Sequence, residues 1–425
     1  MKTIHLGATD AGHLPHNPVE FLQPYHPFMT AALRDKGAFR DEGNHKWRPF
    51  LEVPGENVRT LQTFLQDTGF MPNTPPDGIF GYRTLAGLRL FQEYIRTVDQ
   101  KPEIGKPDGI VGLNTWKFIN QWKEERSGTD DFVCKWARHI DNPTPAYQQW
   151  MHLLTNAKEH FTNHPHPILD LTKSFNKKSD TIPVADWNTD PNAIHLIGIR
   201  RNQEESVTAR RENDDLFALL IRGMVFYFWG STDPNPGMTT RTDIPFLTEG
   251  QHRYTFGWHK VSQEHKVYQA LRPAGSGVLV FRDRDQNRAL DLTDILSGLD
   301  TQPNPTINIH WSGIGKTNFS AGCQVIAGQS YLSHDKAFVD CSSFASTSYG
   351  ELGHGKTRGA YNVLSDLIFS YAPLGVHHVY YTLGRDEASF LSEELNNEWI
   401  TQTIRQLNPA AHPVDEEEKG KEQVG

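Results

Sequence analysis

The stretch PDGIFGYRTLAGLRLFQEYI, residues 76–95, joins a turn signal to an amphipathic helix and decides the first half of the fold. Asp77 and Gly78 favour a tight turn, because glycine adopts backbone conformations that other residues avoid. The apolar positions that follow at helical spacing are Leu85, Leu88, Phe91 and Ile95. The pattern predicts a turn followed by a helix.

Similar segments stand on both sides of this stretch. PDGIVGLNTWKFINQW begins at Pro107, and VRTLQTFLQDTGF begins at Val58 with its own apolar residues at helical spacing. Thr84 and Thr115 lie near the expected helix starts, where a hydroxyl can satisfy free backbone N–H groups. Three helical runs separated by two Asp-Gly turns predict a small helical bundle.

The order V-x-x-L-Q-x-x-L-x-x-x-G, then D-G-x-F-G-x-x-T, then a helix containing F-Q resembles the three-helix peptidoglycan-binding domain. The resemblance covers about residues 58–122. It implies that this region binds peptidoglycan, with candidate contacts around the first turn at Asp77, Phe80, Tyr82 and Arg83. A small helical bundle that binds no ligand is the alternative interpretation.

Length and composition favour a folded protein of two or three domains, because single cores seldom grow past about 250–300 residues. The 425 residues are 37% hydrophobic and 22% charged, with a net charge of −9. The sequence has no basic patch of the kind that indicates nucleic-acid binding. The apolar run at residues 224–229 is too short to span a bilayer. We therefore expect neither nucleic acid nor a membrane as a partner.

The patterning along the chain predicts an α+β fold, with a small helical domain followed by a mostly-β domain. Strand-like runs after residue 182 are AIHLIGIRR, MVFYFWG, GVLVFRDRD, TINIHW and HHVYYTLG. The expected segments are an irregular N-terminal arm (1–45), a helical domain (46–125), a helical connector (126–181), a β-rich catalytic domain with a closing helix (182–412) and a charged, disordered tail (413–425).

The three cysteines, Cys134, Cys323 and Cys341, form no disulfide framework and no CxxC pair for zinc. Cys323 differs in context, because it lies in NIHWSGIGKTNFSAGCQV, thirteen residues after His310. A thiol attacks as thiolate and needs a nearby base, and the N–H groups of Gly322 and Cys323 are candidate oxyanion donors. A buried cysteine without a catalytic role is the alternative.

A histidine followed by a short glycine-containing loop and S-x-G-C resembles the signature of the L,D-transpeptidase catalytic domain. The resemblance implies a compact β-fold that acts on peptidoglycan stem peptides, with Cys323 as nucleophile and His310 as base. It also implies that the Trp311 carbonyl orients the imidazole, and that Ser320 and Gly322 match the family residues before the nucleophile. This chain departs from the family at Ala321 and Val325, where the family often has polar residues that would hold an acceptor amine.

Further candidates flank this pair. Tyr254 and His259 are candidate substrate-cleft residues, although aromatic residues in this stretch are equally suited to a core. DRDQNRALDLTD places Asp283, Asp285, Asn287, Asp291 and Asp294 at positions similar to those of a calcium loop. Arg288 stands where such loops turn on glycine, so a polar β-turn is expected there. The sequence has no HExxH spacing, which would indicate a zinc site. We expect no metal and no cofactor.

Together these features predict an enzyme that cleaves stem peptides or cross-links through a Cys323 thioester, as an L,D-carboxypeptidase or endopeptidase. An L,D-transpeptidase and a non-catalytic wall-binding component of a phage or secretion apparatus are the alternatives. The segments IGIRR, STDPNPG, GQHRYTFGWHK, YQAL and SAGCQVI resemble hydrolase-type proteins of phage and bacterial-antagonism systems, which implies an antibacterial effector or lysin.

The chain begins MKTIHLGATDAGHLPHNPVE, without the apolar stretch of a secretory signal. We therefore expect synthesis in the cytoplasm and action in the periplasm or cell wall after non-classical delivery. The expected partners are peptidoglycan, a secretion-system carrier protein and a cognate immunity protein.

Overall fold

The computed structural model describes residues 3–6, 38–41, 46–49, 55–201, 212–260, 266–315, 317–352 and 355–408. Its helices are α1 (Glu56–Asp67), α2 (Tyr82–Thr97), α3 (Leu113–Arg126), α4 (Lys135–Arg138), α5 (Pro145–Asn163), α6 (Pro167–Ser174), α7 (Leu292–Leu296), α8 (Ala360–Tyr371) and α9 (Asn397–Leu407). Its strands are β1 (Ala38–Asp41), β2 (Lys46–Pro49), β3 (Thr181–Ile182), β4 (Ile194–Arg200), β5 (Asp215–Ile221), β6 (Met224–Ser231), β7 (Pro245–Leu247), β8 (Gly250–His259), β9 (Tyr268–Pro273), β10 (Val280–Arg282), β11 (Ile309–Trp311), β12 (Gln324–Ile326), β13 (Ser330–Leu332), β14 (Phe338–Asp340) and β15 (Val379–Arg385). A helical N-terminal half followed by a strand-rich half confirms the α+β prediction.

A glutamine of α1 fixes the first Asp-Gly turn. Gln62 Nε2 donates hydrogen bonds to Asp77 Oδ1 at 2.8 Å and to the Ile79 carbonyl at 2.9 Å. Gln62 Oε1 accepts the Gly78 N–H at 2.7 Å. Asp77 Oδ1 also accepts the Ile79 N–H at 2.8 Å, so this oxygen closes the turn. Gly78 has a φ of 79°, which is the left-handed conformation that favours glycine.

The second turn repeats this arrangement one helix later. Gln92 of α2 donates to Asp108 Oδ1 at 3.1 Å and to the Ile110 carbonyl at 3.2 Å. Its Oε1 accepts the Gly109 N–H at 2.9 Å. A buried amide with both ends paired in each unit explains why L-Q and F-Q recur before the Asp-Gly turns. The helical half is therefore built from two copies of one helix–turn unit, and α3 completes it.

The two threonines after these turns do not cap the helices through their hydroxyls. The N-cap residues of α2 and α3 are Gly81 and Gly112, which offer no side-chain acceptor. Thr84 Oγ1 instead donates to the Ile79 carbonyl at 3.4 Å, and Thr115 Oγ1 takes the same role in the second turn. The capping prediction was wrong, because these hydroxyls bind the turn carbonyls.

The strand-rich half is organised by one sheet that closes on itself. The strand order is β12-β11-β9-β8-β15-β4-β5-β6-β13-β14, and β6 also pairs with β12. Every residue of β4, β5 and β6 is buried, which explains their nearly continuous apolar sequence. Alternate side chains of β4 enter two cores: Leu196 packs in the core that contains α8, and Ile197 in the core that contains α5 and α9.

The helical half is fixed to the strand-rich half through α2 and α8. Arg89 of α2 makes two hydrogen bonds to the buried Asp366 of α8, at 2.8 and 2.6 Å. Tyr331 of β13 donates to the Glu93 carboxylate at 2.5 Å. The side chains of α1, α2, α3 and α8 belong to one continuous hydrophobic core. The boundary predicted at residue 125 therefore divides two sequence patterns within one packed body.

The structure also refines the predicted segments. The N-terminal arm is not wholly irregular, because β1 pairs with β2 and Ile4 bridges to Val111. The connector contains α4, α5 and α6, and the closing helix starts at Asn397. The predicted tail at residues 413–425 lies outside the described residues. No helix in the described part of the chain is long and apolar enough to cross a bilayer.

Candidate active site

The parallel pairing of β11 with β12 brings the nucleophile and base candidates to one face of the sheet. His310 is paired with Val325, and Ile309 with Gln324. Asn308 therefore lies beside Cys323, and its backbone N–H donates to Cys323 Sγ at 3.3 Å. Since side chains alternate along a strand, Asn308, His310 and Cys323 share a face.

Cys323 is the one of the three cysteines that is partly exposed. Its Sγ accepts the Asn308 N–H and donates to the Thr306 carbonyl at 3.4 Å. Burial raises the pKa of this thiol, while the Asn308 N–H and the charges of Lys260 and Arg272 act against that increase. Cys134 and Cys341 are buried, and burial raises the pKa of Cys134 to about 11. Only Cys323 combines access to solvent with polar neighbours.

His310 is held as a neutral imidazole. Its Nδ1 lies 2.8 Å from the Trp311 carbonyl, and because a carbonyl can only accept, Nδ1 carries the proton. Nε2 is then the nitrogen that can take a proton. Burial lowers the pKa of His310 to about 4, with Lys260 adding to the effect and the Trp311 carbonyl opposing it. The thiol and the imidazole share no hydrogen bond among the contacts of the described residues.

The contribution of Trp311 comes from its backbone. Its carbonyl accepts from His310 and also from the Tyr268 hydroxyl, at 3.4 Å. The indole packs edge-to-face against Tyr349, with ring centroids 5.3 Å apart. The tautomer of His310 is therefore fixed by a carbonyl that is itself held in place.

Ser320 and Gly322 shape the turn before the nucleophile. Ser320 Oγ donates to the Cys323 carbonyl at 2.6 Å and accepts the Gly322 N–H at 3.0 Å. Gly322 has a φ of 152°, and a Cβ there would lie 2.7 Å from the Pro245 side chain. The prediction that the Gly322 N–H faces an oxyanion was wrong, because Ser320 binds it. The Cys323 N–H has no protein acceptor in the described part of the chain and is the remaining backbone donor.

His259 lies directly against the base. Its ring stacks on His310 with centroids 4.3 Å apart, and its Nδ1 is 2.9 Å from Asn308 Nδ2. The buried polar atoms that have no hydrogen-bond partner among the described residues include three from His259, Asn308 and Arg272: His259 Nε2, Asn308 Oδ1 and Arg272 Nε. Arg272 belongs to β9, whose Leu271 pairs with Ile309 of β11. These unpaired atoms belong to a buried polar cluster beside Cys323, formed by His259, Arg272 and Asn308.

Sequence reasoning missed Asn308, Arg272 and Lys260. Asn308 stands two residues before His310, and this period-two spacing is the one signal in the sequence that could have indicated it. Arg272 reaches the site through the pairing of β9 with β11, and Lys260 follows the end of β8. Neither of these two placements can be derived from the motif around Cys323.

Tyr254 does not line the cleft. It is fully buried, and its hydroxyl donates to the Ile307 carbonyl at 3.0 Å. Its ring lies edge-on to Tyr381, with centroids 5.8 Å apart. The prediction of a substrate contact was wrong for Tyr254, which supports the segment that leads into β11.

The predicted ligand contacts around the first Asp-Gly turn are mostly core residues. Phe80 is fully buried, and Tyr82 is 4% exposed, where it packs against Trp258 and Phe369 of the strand-rich half. Arg83 is 6% exposed, and its guanidinium lies 3.3 Å from Thr74 Oγ1. For these three residues the prediction was wrong, because their side chains are buried, and that of Tyr82 joins the two halves. Asp77 keeps partial exposure, with Oδ1 engaged in the turn.

Comparison with known proteins finds one family match, within the helical half. The family model described as a peptidoglycan binding domain matches residues 54–96, which contain α1, the first turn and most of α2. No curated protein matches the chain. A crystal structure of a fused Zn-dependent amidase/peptidase/peptidoglycan-binding domain-containing protein from Clostridium acetobutylicum is 13% identical, covers 77% of this chain and 96% of that chain, and has a TM-score of 0.21. That likeness is too slight to support an argument. The chain carries a peptidoglycan-binding domain, and the family match ends before Cys323.

Proposed function

We propose that this protein is a peptidoglycan-directed cysteine enzyme that cleaves stem peptides or cross-links through a thioester at Cys323. The observation that carries the proposal is the placement of Cys323 and His310 on one face, with the His310 Nδ1 proton held by the Trp311 carbonyl. The peptidoglycan-binding domain of the same chain supports the choice of polymer.

In the proposed reaction, Cys323 Sγ attacks a stem-peptide carbonyl while its proton moves to His310 Nε2. The carbon–sulfur bond forms, and the oxyanion that develops accepts the Cys323 N–H. When the intermediate collapses, the carbon–nitrogen bond breaks and His310 returns the proton to the leaving amine. A water molecule, deprotonated by His310, then attacks the thioester and releases the thiol and a carboxylate.

The polar cluster beside Cys323, together with Lys260, supports an anionic peptide as substrate. Arg272 and Lys260 place positive charge near the thiol, and stem peptides carry carboxylates. We propose that Arg272 binds a substrate carboxylate while His259 and Asn308 bind peptide N–H and carbonyl groups. Such contacts would satisfy the three buried atoms that lack partners.

Hydrolysis by an L,D-carboxypeptidase or endopeptidase is preferred over exchange by an L,D-transpeptidase. A transpeptidase must hold an acceptor amine, and the two positions where related motifs carry polar groups are Ala321 and Val325. Val325 is fully buried in β12, so its side chain is not available to contact an acceptor amine. The proposal includes an antibacterial role as effector or lysin, with a carrier protein and an immunity protein, which rests on the resemblance of the wider sequence.

The proposal is tested by digesting purified muropeptides with the full chain in H₂¹⁸O and identifying the products by mass spectrometry. The wild type should release a peptide or amino acid and leave ¹⁸O in the new carboxylate. Cys323→Ala should lower the rate by at least about 10³-fold, whereas Cys134→Ala, with its thiol in the core, should retain it. Full activity of Cys323→Ala would refute the thiol mechanism, and exchange products without ¹⁸O would establish transpeptidation instead.

A further inference from the structure

The loop between β10 and α7, residues 283–294, carries oxygen ligands at the spacing of a calcium-binding loop. Such loops use side chains at positions 1, 3, 5, 9 and 12 and a backbone carbonyl at position 7. The residues at these positions, in order along the chain, are Asp283, Asp285, Asn287, Ala289, Asp291 and Asp294. The spacing alone is common in polar turns, so the structure has to supply independent support.

The acidic side chains converge in space. One carboxylate oxygen from each of Asp283, Asp285 and Asp294 lies within 4.8 Å of the others. Asp283 is 1% exposed and Asp294 is fully buried. Two buried carboxylates this close repel each other unless a proton or a cation compensates their charge.

One oxygen of Asp283 supplies the independent observation. Asp283 Oδ2 accepts the Arg288 N–H at 2.9 Å. Asp283 Oδ1 is buried and has no hydrogen-bond partner among the described residues. A buried carboxylate oxygen without a donor is unusual in a folded protein. It lies in the side chain at position 1, which is a metal ligand in calcium loops.

Backbone N–H groups already hold the other acidic side chains of the loop. Asp285 Oδ1 accepts from Asn287 N at 3.1 Å, and Asp291 Oδ1 from Thr293 N at 2.7 Å. Asp294 Oδ1 accepts from Arg284 N at 2.7 Å. The second oxygens are also paired: Asn287 Nδ2 donates to Asp285 Oδ2 at 3.1 Å and to Asp291 Oδ2 at 2.7 Å, and Asp294 Oδ2 accepts the Asp291 N–H at 3.4 Å. The acidic side chains therefore converge on the Asn287 amide, whose place between them a bound ion would take.

The sequence argument against calcium was that Arg288 replaces the glycine on which such loops turn. The structure removes this objection, because Arg288 has a φ of 65°. This is the left-handed conformation that glycine would adopt at position 6. The turn is made, although with a residue that adopts it less easily.

We propose that residues 283–294 bind a single Ca²⁺ ion. A flexible loop that offers many carboxylate and carbonyl oxygens suits Ca²⁺, whereas Mg²⁺ demands a small octahedral site and keeps most of its water. The loop continues from β10, which pairs with β7, and Pro245 at the start of β7 lies against Gly322 beside the nucleophile. Ca²⁺ should accordingly stabilise the fold near Cys323 as well as the loop.

The test uses the full chain, stripped with EDTA and dialysed, with isothermal titration calorimetry and thermal unfolding in CaCl₂ and in MgCl₂. We expect one saturable Ca²⁺ site, a higher unfolding midpoint in CaCl₂, and at least tenfold weaker binding of Mg²⁺. Asp283→Asn and the exposed Asp285→Asn should each weaken Ca²⁺ binding at least tenfold. The exposed Asp141→Asn, outside the loop, is the matched control and should bind as the wild type does.

Arg288→Gly should bind Ca²⁺ at least as tightly as the wild type, because glycine adopts the required conformation without strain. If Asp283→Asn fails to fold, Asp285→Asn alone decides the result. The absence of saturable binding by the wild type up to about 10 mM CaCl₂, beyond the weakest affinities of such loops, would overturn the proposal. Unchanged binding in the loop variants, or equal binding of Mg²⁺, would overturn it too.

Discussion

The resting protonation state of the Cys323–His310 pair can be tested without a substrate. Burial raises the pKa of Cys323 above its ordinary value of 9.0 and lowers that of His310 to about 4. The pair should therefore rest as neutral thiol and neutral imidazole. A thiolate–imidazolium ion pair would require the opposite shifts in both pKa values.

The two states predict different alkylation kinetics. With its pKa raised by burial, Cys323 is almost entirely thiol at pH 7, and its thiolate fraction grows as the pH rises. The rate of alkylation by iodoacetamide should rise about tenfold per pH unit from pH 6 to 8 and still be rising at pH 9. An ion pair would instead give a rate that is nearly constant between pH 5 and 8.

The assay measures the adduct on the intact protein by mass spectrometry at intervals after reagent is added. A single adduct is expected, because Cys134 and Cys341 are buried. Cys323→Ala should remain unmodified, and His310→Gln should leave the slope unchanged, because the imidazole is neutral throughout this range. A flat profile in the wild type, or a steep one that appears only in His310→Gln, would refute this account of the pair.

Three further predictions follow from the geometry. His310→Ala should lower kcat/KM on muropeptides by about 10²–10⁴-fold. The wild type should keep its rate from pH 7 to 5.5, because an imidazole with a pKa of about 4 stays neutral. A tenfold loss of rate at pH 5.5 would contradict the lowered pKa of His310. Arg89→Ala should destabilise the fold by about 3–5 kcal/mol in urea unfolding, because it leaves the buried Asp366 carboxylate without a partner. The double variant Arg89→Met with Asp366→Leu should lose less stability than Arg89→Ala. Burial lowers the pKa of His252 from 6.5 to about 4, so the unfolded chain binds its proton first as the pH falls. Stability should drop by about 2 kcal/mol between pH 7 and 5 on this account, and His252→Gln should show a shallower decline in its urea midpoint.

Local signals explain the parts of the fold that could be predicted from the sequence. The Asp-Gly turns need left-handed glycines at Gly78 and Gly109, and strands such as β6 are buried on both faces and thus apolar throughout. Helix α8 could not be predicted in this way. All of its residues are buried, so AYNVLSDLIFSY carries no polar face to reveal a helical period.

The candidate site likewise contains residues that a local motif indicates and residues that only long-range strand pairing places there. His310 lies on β11 and Cys323 directly precedes the neighbouring β12, and a motif can indicate a pair this close in sequence. Arg272 depends on the register of β9 against β11, which is set by contacts distant in sequence. Tyr82 shows the converse error, because an aromatic residue beside a binding turn suggests a ligand surface, while here it packs against the other half of the protein.

That packing has a consequence for how the two halves work. Tyr82 of α2 contacts Trp258, and the next residue of β8 is His259, whose ring stacks on His310, the proposed base. The peptidoglycan-binding domain therefore packs against β8, the strand that supports the site. The bonds of Arg89 to Asp366 and of Glu93 to Tyr331 hold it in this position. A glycan strand held by the helical half would meet Cys323 at a set distance, unlike one held by a domain on a flexible linker. Binding and cleavage should then select the same region of the polymer. A fragment limited to residues 46–125 would expose the core face of α2, so it would test neither the binding nor the cleavage of the full chain.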